Sequence, residues 1–490
     1  MEKSKRTLNR KVASGMLWSI LERGGIQGIN FLVQLVLARL LCPDDYGILA
    51  ILNVFISLSS TFVNNGLGSA LIQKKDSDEL DFNSVFYVQL GLALFFVVVL
   101  FFAAPLVSSW YDNNFLTVYL RVLSLGLIVD ALYSTQNTVL VRSMQFRKLF
   151  FANVLGVLVQ GVSGIASAYN GMGVWSLIVS QLLQKTMVLL VLVATVRWKP
   201  RWMFSWKRIK KLFRYSWKLS IGWIIGTIHQ DIYALVIGKF FNIATLGYYN
   251  RGQSLPQTIT KTVSDVASRV MFPALASIQD DGRTYLIYVK KMMMVMSFVI
   301  WPVCAGLAAV SRSLILLLLT EKWAPCIPMM QLFMISYGFN VMSTTNMQAF
   351  NAKGRSDIFL KMEIIKRSLS IILLISSCMV FRNIYAAIIV LDIMGLFSFC
   401  YNVFMNIRLL GYKLREQMVD ILPSMLISLA MFFATWQLER LGFSDTLTLM
   451  VQMSFGVVFY IGMNMMLRTP CTKMIMEFFI NRRSAMKSQA

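Results

Sequence analysis

The chain has 490 residues, of which 57% are hydrophobic and only 14% charged, with a formal net charge of +24. A soluble body of this size needs far more polar surface, so the composition excludes one and describes a polytopic membrane protein. The charge does not signal nucleic acid, because most Lys and Arg sit in short segments between apolar runs. There they set topology and meet anionic phospholipid headgroups.

The amino-terminal MEKSKRTLNRK has the basic character of a signal peptide. The span after it is too long and too polar for a cleaved one, so retention is expected. That first span, 14–38, exceeds the roughly 20 residues that cross a bilayer. Arg23, Gln27, Asn30 and Gln34 recur within it at spacings of four, three and four, which places them on one helical face. A stripe of this kind turns toward protein or a watery cavity and away from lipid. The span closes on Arg39 and then Pro43, Asp44, Asp45, Tyr46 and Gly47, a stop followed by an acidic restart.

Further apolar spans follow at 47–72, 82–108, 116–141, 151–169 and 174–196. A basic, aromatic-rich connector, RWKPRWMFSWKRIKKLFRYSWK, occupies 197–218. It reads either as an amphipathic helix on the membrane surface or as a basic loop with interfacial aromatics. The second half gives spans at 219–239, 246–278, 292–310, 325–350, 358–381, 384–407, 419–438 and 447–467. The expected organisation is six spans in 1–196, the connector 197–218, six spans in 219–410, and two spans with a basic tail in 411–490. The stretch closing the seventh span, GKFFNIATLGYYN, places Lys239 and Gly247 eight residues apart, as Arg39 and Gly47 are. The offset is 200 residues, so the chain reads as two copies of one transporter-like body in the same orientation.

With the amino terminus inside, the inward segments collect Lys3–Lys11, Lys74 and Lys75, Arg142–Lys148, the connector, Arg283–Lys291, Lys353–Lys361, Arg408–Arg415 and the tail. Outward segments hold little beyond Arg39, Lys239, Arg312, Lys322, Arg382 and Arg440. A miscounted span would invert this asymmetry downstream, and no inversion occurs, so fourteen helices with both termini in the cytoplasm are expected. No loop is long enough to fold as a catalytic domain. The chain carries a single histidine, and no phosphate-binding loop, dinucleotide fingerprint or HExxH motif. Six scattered cysteines form no CxxC pair and read as small buried hydrophobes, with neither a disulfide framework nor a metal site.

The informative residues are polar ones inside spans. In the eighth, Arg251, Ser254, Thr258, Lys261, Asp265 and Arg269 repeat at three- and four-residue spacings. Each cation facing hydrocarbon costs about 2.5–3.5 kcal/mol near the bilayer centre, so they line a cavity. Alternatively, Arg251 and Arg269 reach opposite headgroup layers while Lys261 pairs with Asp265. Arg23 either binds an anion or pairs with Glu22 or an acid on a neighbouring span. Asp130, Asp231 and Asp392 bind a coupling proton or cation, or neutralise the arginines. His229 reads as a packing residue more than a proton relay.

ARLLCPDDYG after the first span, GKFF…LGYYNRGQSLPQ…PALASIQDD across the eighth and LLLTEKWAP before the tenth resemble the polysaccharide-transporter branch of the multidrug/oligosaccharidyl-lipid/polysaccharide flippase superfamily. Within it the chain is most similar to flippases for O-antigen, capsule or colanic-acid-type repeat units, and the resemblance covers nearly the whole chain. It implies an all-α protein with two six-helix lobes in a V around a central cavity, plus two carboxyl-terminal helices. It implies alternating access that moves an undecaprenyl-pyrophosphate-linked glycan to the outer leaflet of the bacterial cytoplasmic membrane, without catalysis or a bound cofactor, coupled to H+ or Na+. The polymerase and export machinery of the pathway are implied partners. Arginine suits pyrophosphate, since it contacts the oxygens bidentately and stays charged. Binding is therefore expected at Arg23, Gln27, Asn30, Gln34, Arg251, Lys261 and Arg269. The alternatives are a drug or small-molecule cation antiporter of the same superfamily, and a membrane-embedded polymerase.

Overall fold

In the computed structural model, residues 25–477 are described apart from 65 and 475, and among them every regular element is helical. Contacts divide the chain between Gly247 and Tyr248. The first unit holds α1 (Gly25–Leu40), α2 (Pro43–Asn64), α3 (Leu67–Gln73), α4 (Glu79–Trp110), α5 (Phe115–Ser124), α6 (Gly126–Arg142), α7 (Phe146–Tyr169), α8 (Val174–Thr195) and α9 (Trp206–Phe240). α10 (Ile243–Ala276) begins in it. The second unit continues α10 and adds α11 (Gly282–Ala309), α12 (Ser311–Leu319), α13 (Cys326–Asn351), α14 (Ser356–Phe381), α15 (Ile384–Leu410), α16 (Leu414–Gln437) and α17 (Asp445–Met466).

Eleven helical stretches are long and apolar enough to cross a membrane. Of the other three expected spans, the described part of the first falls in α1, and the eighth and tenth coincide with α10 and α13. The protein is thus an all-α polytopic membrane protein whose outward surface is apolar. Val98, Phe102, Leu106, Val162 and Val458 are exposed, where a soluble protein would carry charge.

Local chemistry sets the boundaries. Asp78 caps α4 by accepting from the Asp81 N–H at 3.0 Å, and the Asp81 carboxylate returns the contact to the Asp78 N–H. The Asp81 backbone N–H also holds the Asp78 carboxyl below the usual carboxylate range. Asp281 caps α11 and Asn383 caps α15, while Gly411 ends α15 in the left-handed conformation. The expected second span breaks at Gly66, whose φ of +70° separates α2 from α3.

Without a hydrophobic drive between helices in lipid, small residues and interhelical hydrogen bonds hold each unit. Gly156, Gly161 and Gly164 of α7 admit Val188, Val33 and Ser180 at distances that leave little room for a Cβ. In the second unit, Asn402 donates to Ser343 at 2.8 Å and Asn406 to Asn346 at 2.7 Å, a polar ladder buried between α13 and α15. The connector resolves into two parts. Residues 196–205 are not helical, whereas 206–218 continue without a break into the seventh span as the first turns of α9. They do not form a separate surface helix.

The starts of α2 and α10 cross in close contact. A Cβ on Gly47 would lie 2.0 Å from the Ile243 carbonyl oxygen, and one on Gly247 would lie 2.0 Å from the Pro43 oxygen. Each partner is the other's counterpart at the 200-residue offset. Replacing either glycine with alanine should force the helix starts apart and destabilise the fold by about 1–3 kcal/mol, read as a lower apparent melting temperature. Gly222, with no atom within 4 Å of its would-be Cβ, should tolerate alanine or gain up to about 1 kcal/mol. Equal responses at all three positions would refute the packing argument.

Candidate functional site

Polar residues of the first unit concentrate along the seam between α2–α3 and α9, which run antiparallel. Going forward on one helix and backward on the other, Ile51 lies beside Gly238, Ser57 meets Asp231, Thr61 Oγ1 lies 3.1 Å from Thr227 Oγ1, and Gly66 fits against Ser216 and Ser220. At one end, the Tyr111 hydroxyl donates to the Leu235 carbonyl at 3.1 Å and Lys239 Nζ donates to the Trp110 carbonyl at 2.6 Å.

Asp231 sits half-buried in the middle of this seam. Ser57 Oγ is in hydrogen-bond reach of both the Asp231 carboxyl and the Val54 carbonyl, the latter at 3.0 Å. A serine hydroxyl has one proton to donate. Both bonds form together when the carboxyl is protonated and donates to Ser57, which then donates to Val54. No other residue of α2 beyond Tyr46, and none of α3, is ionisable. On α9, His229 packs edge-on against Tyr233, with ring centroids 6.0 Å apart.

The other two span acids differ from it. Asp130 of α6 is paired with Lys185 of α8 at 2.7 Å. Asp392 of α15 has one buried carboxyl oxygen without a hydrogen-bond partner, and among the described residues it has no ion pair.

Among the expected binding residues, Arg23 lies outside the described residues. Gln27 is exposed on α1, one turn ahead of the half-buried Asn30 and two ahead of Gln34. Arg251 is half-buried near the start of α10, its guanidinium 5.9 Å from the Trp323 ring centroid. Lys261, Asp265 and Arg269 are exposed on successive turns of α10. Among the described residues none of the three forms an ion pair within 4.0 Å, so the alternative Lys261–Asp265 pairing is not made. From Arg251 to Arg269 the helix rises about 27 Å at 1.5 Å per residue. These cations therefore form a line along α10 and do not converge on one point.

Sequence reasoning missed three features. Ser57 gave no signal alone, since only tertiary structure brings it to Asp231. Lys185 was visible as a lone charge in an apolar span. In α14, Glu363 binds Lys366 at 3.1 Å and Arg367 at 2.9 Å, partly buried, and the i, i+3, i+4 spacing was legible.

The acids should separate on substitution. Asp130→Asn strands the Lys185 charge and should cost on the order of 3 kcal/mol, recovered by adding Lys185→Met. Asp231→Asn, whose amide donates to Ser57 as the protonated acid does, should keep the parent's apparent melting temperature. A loss at Asp231 matching that at Asp130 would make both acids purely structural.

Comparison with known proteins fits this architecture. The chain is 24% identical over 367 residues to the lipopolysaccharide biosynthesis protein WzxC of Escherichia coli K12, covering 74% of this chain and 75% of that one. It is 26% identical over 333 residues to the succinoglycan biosynthesis transport protein ExoT of Rhizobium meliloti 1021, covering 68% and 67%. Its fold matches that of the lipid II flippase MurJ in an inward closed conformation, with a TM-score of 0.73 at 14% identity, over 92% of this chain and 99% of that one. Residues 36–328, more than half of the chain, match the family described as polysaccharide biosynthesis protein, and the chain belongs to that family.

Proposed function

We propose that the protein is a flippase that moves oligosaccharide repeat units linked to undecaprenyl pyrophosphate from the inner to the outer leaflet of the bacterial cytoplasmic membrane, by alternating access. The observation that carries this reading is the exposed face of α10. Lys261, Asp265 and Arg269 stand unpaired on a helix that coincides with an expected span. Such charges need water or an ionic ligand beside them. Two cations to one acid suit an anionic headgroup better than the organic cations of a drug antiporter. The named relatives support the substrate class, since they serve polysaccharide biosynthesis and transport.

In this reading α10 supplies the cations that accompany the pyrophosphate across the membrane. Gln27, Asn30 and Gln34 of α1 hydrogen-bond phosphate or sugar oxygens. Arg23 adds bidentate charge, and Arg251 is a further cation of the path, steadied by Trp323. The working halves are the repeats 1–196 and 219–410, joined by 197–218 and followed by 411–490. Asp231 carries a coupling proton: in the acid form it donates to Ser57 and frees that hydroxyl for the Val54 carbonyl, whereas the ionised carboxylate takes the Ser57 proton for itself.

The test is export in a strain deleted for this gene, which should accumulate lipid-linked repeat units facing the cytoplasm. The parent should clear them. Lys261→Ala and Arg269→Ala should each lower export about tenfold, the loss of one charge-assisted contact, with normal protein abundance. Full export by the double variant would overturn the assignment of α10.

Orientation is tested separately, with single cysteines in a cysteine-free background. Positions 113, 171 and 383 should react with an impermeant reagent from outside. Positions 75, 210, 355 and 490 should react only after permeabilisation. External labelling at 210 would reverse the proposed topology.

A further inference from the structure

A group of cations near the start of α9 has no part in the transport reading. Lys74, just after α3, and Arg208 and Lys211, in the first turns of α9, surround a cavity of about 170 Å3 together with Gln73. Its apolar walls are Ala70 and Leu212, both buried.

Two of the three cations are fixed in place. Lys74 is paired with Asp81, which is fully buried, and Arg208 reaches Asp78 at 3.1 Å and Asp81 at 3.5 Å. These pairings leave donors free, because an ammonium has three N–H groups and a guanidinium five. Lys211 forms no ion pair among the described residues and is exposed. Three positive charges against two carboxylates leave one uncompensated positive charge at the cavity. A phosphodiester carries one negative charge and has oxygens for the spare donors.

The surroundings indicate where such a group would come from. Trp202 is 95% exposed, and Phe204, Trp206, Phe213 and Trp217 are also exposed on the same segment. The amphipathic indoles among them, Trp202, Trp206 and Trp217, settle at the headgroup level of a bilayer. Ile72, next to Gln73 in the chain, is also exposed and adds apolar surface there. We propose that this cavity is a binding site for the phosphodiester of an anionic membrane phospholipid. The proposal stands on the geometry of α3, α4 and α9 and is independent of the transported substrate.

The experiment uses the full-length protein in phosphatidylcholine nanodiscs titrated with phosphatidylglycerol, with retained lipid counted by native mass spectrometry. Lys211→Glu should weaken phosphatidylglycerol retention by about tenfold or more, the loss of one charge-assisted contact. It should leave the melting temperature in pure phosphatidylcholine unchanged, since Lys211 holds nothing else in place. Lys211→Gln serves as a milder variant should the reversed charge disturb folding. Lys210→Glu, on the same helix but on the face turned away from Arg208, Lys211 and Leu212, should keep the parent's retention. Equal losses at 210 and 211 would reduce the site to diffuse surface charge and overturn the proposal, as would unchanged retention in both position-211 variants. A parallel arm adds inorganic phosphate. Protection of the parent by phosphate without phosphatidylglycerol retention would overturn the lipid as the source and assign a free phosphate.

Discussion

The fold depends on one constraint: inside hydrocarbon, a polar group needs either a partner within the protein or water beside it. The two outcomes sort the polar residues of this chain. Asn402 bonds to Ser343 and Asn406 to Asn346, joining α13 to α15. Asp130 and Lys185 neutralise each other between α6 and α8. Lys261, Asp265 and Arg269 have no such partner and lie exposed on α10. The first kind joins helices, and the second leaves charges that require water or an ionic partner beside them.

Asp231 stands between these classes. It has a partner, and the direction of its bond to Ser57 depends on where one proton sits. Ionised, the carboxylate accepts from Ser57; protonated, it donates and releases the Ser57 hydroxyl to the Val54 carbonyl, so the contact between the helices persists while the bond within α2 changes. Small side chains recur along the seam, Gly238, Thr227, Thr61, Ser216, Ser220 and Gly66, beside the larger Ile51 and Tyr111. The small residues let the helices approach closely.

Much of the fold was legible in sequence because hydrophobicity over twenty or more residues is a strong local signal. Among the described residues each expected span falls on helix, and the polar stripes on α1 and α10 were evident from spacing. Continuity was less legible. The basic, Trp-rich composition of 206–218 indicated a membrane surface, yet nothing there breaks a helix, and α9 runs straight through. Pairings were the least legible. Asp231 gave no hint of Ser57, 174 residues earlier, nor Asp130 of Lys185. Such partners are set by which faces of distant helices meet. For Arg251 the spacing suggested a cavity wall, and Trp323 supplies a neighbour that no periodicity could reveal.

The crossing of Gly47 and Gly247 couples two helix starts. Pro43 faces Gly247 as Ile243 faces Gly47. Because each glycine lies against the carbonyl at the other helix's first turn, a side chain added at either one pushes on both starts at once, and neither helix can shift to relieve it without displacing its neighbour.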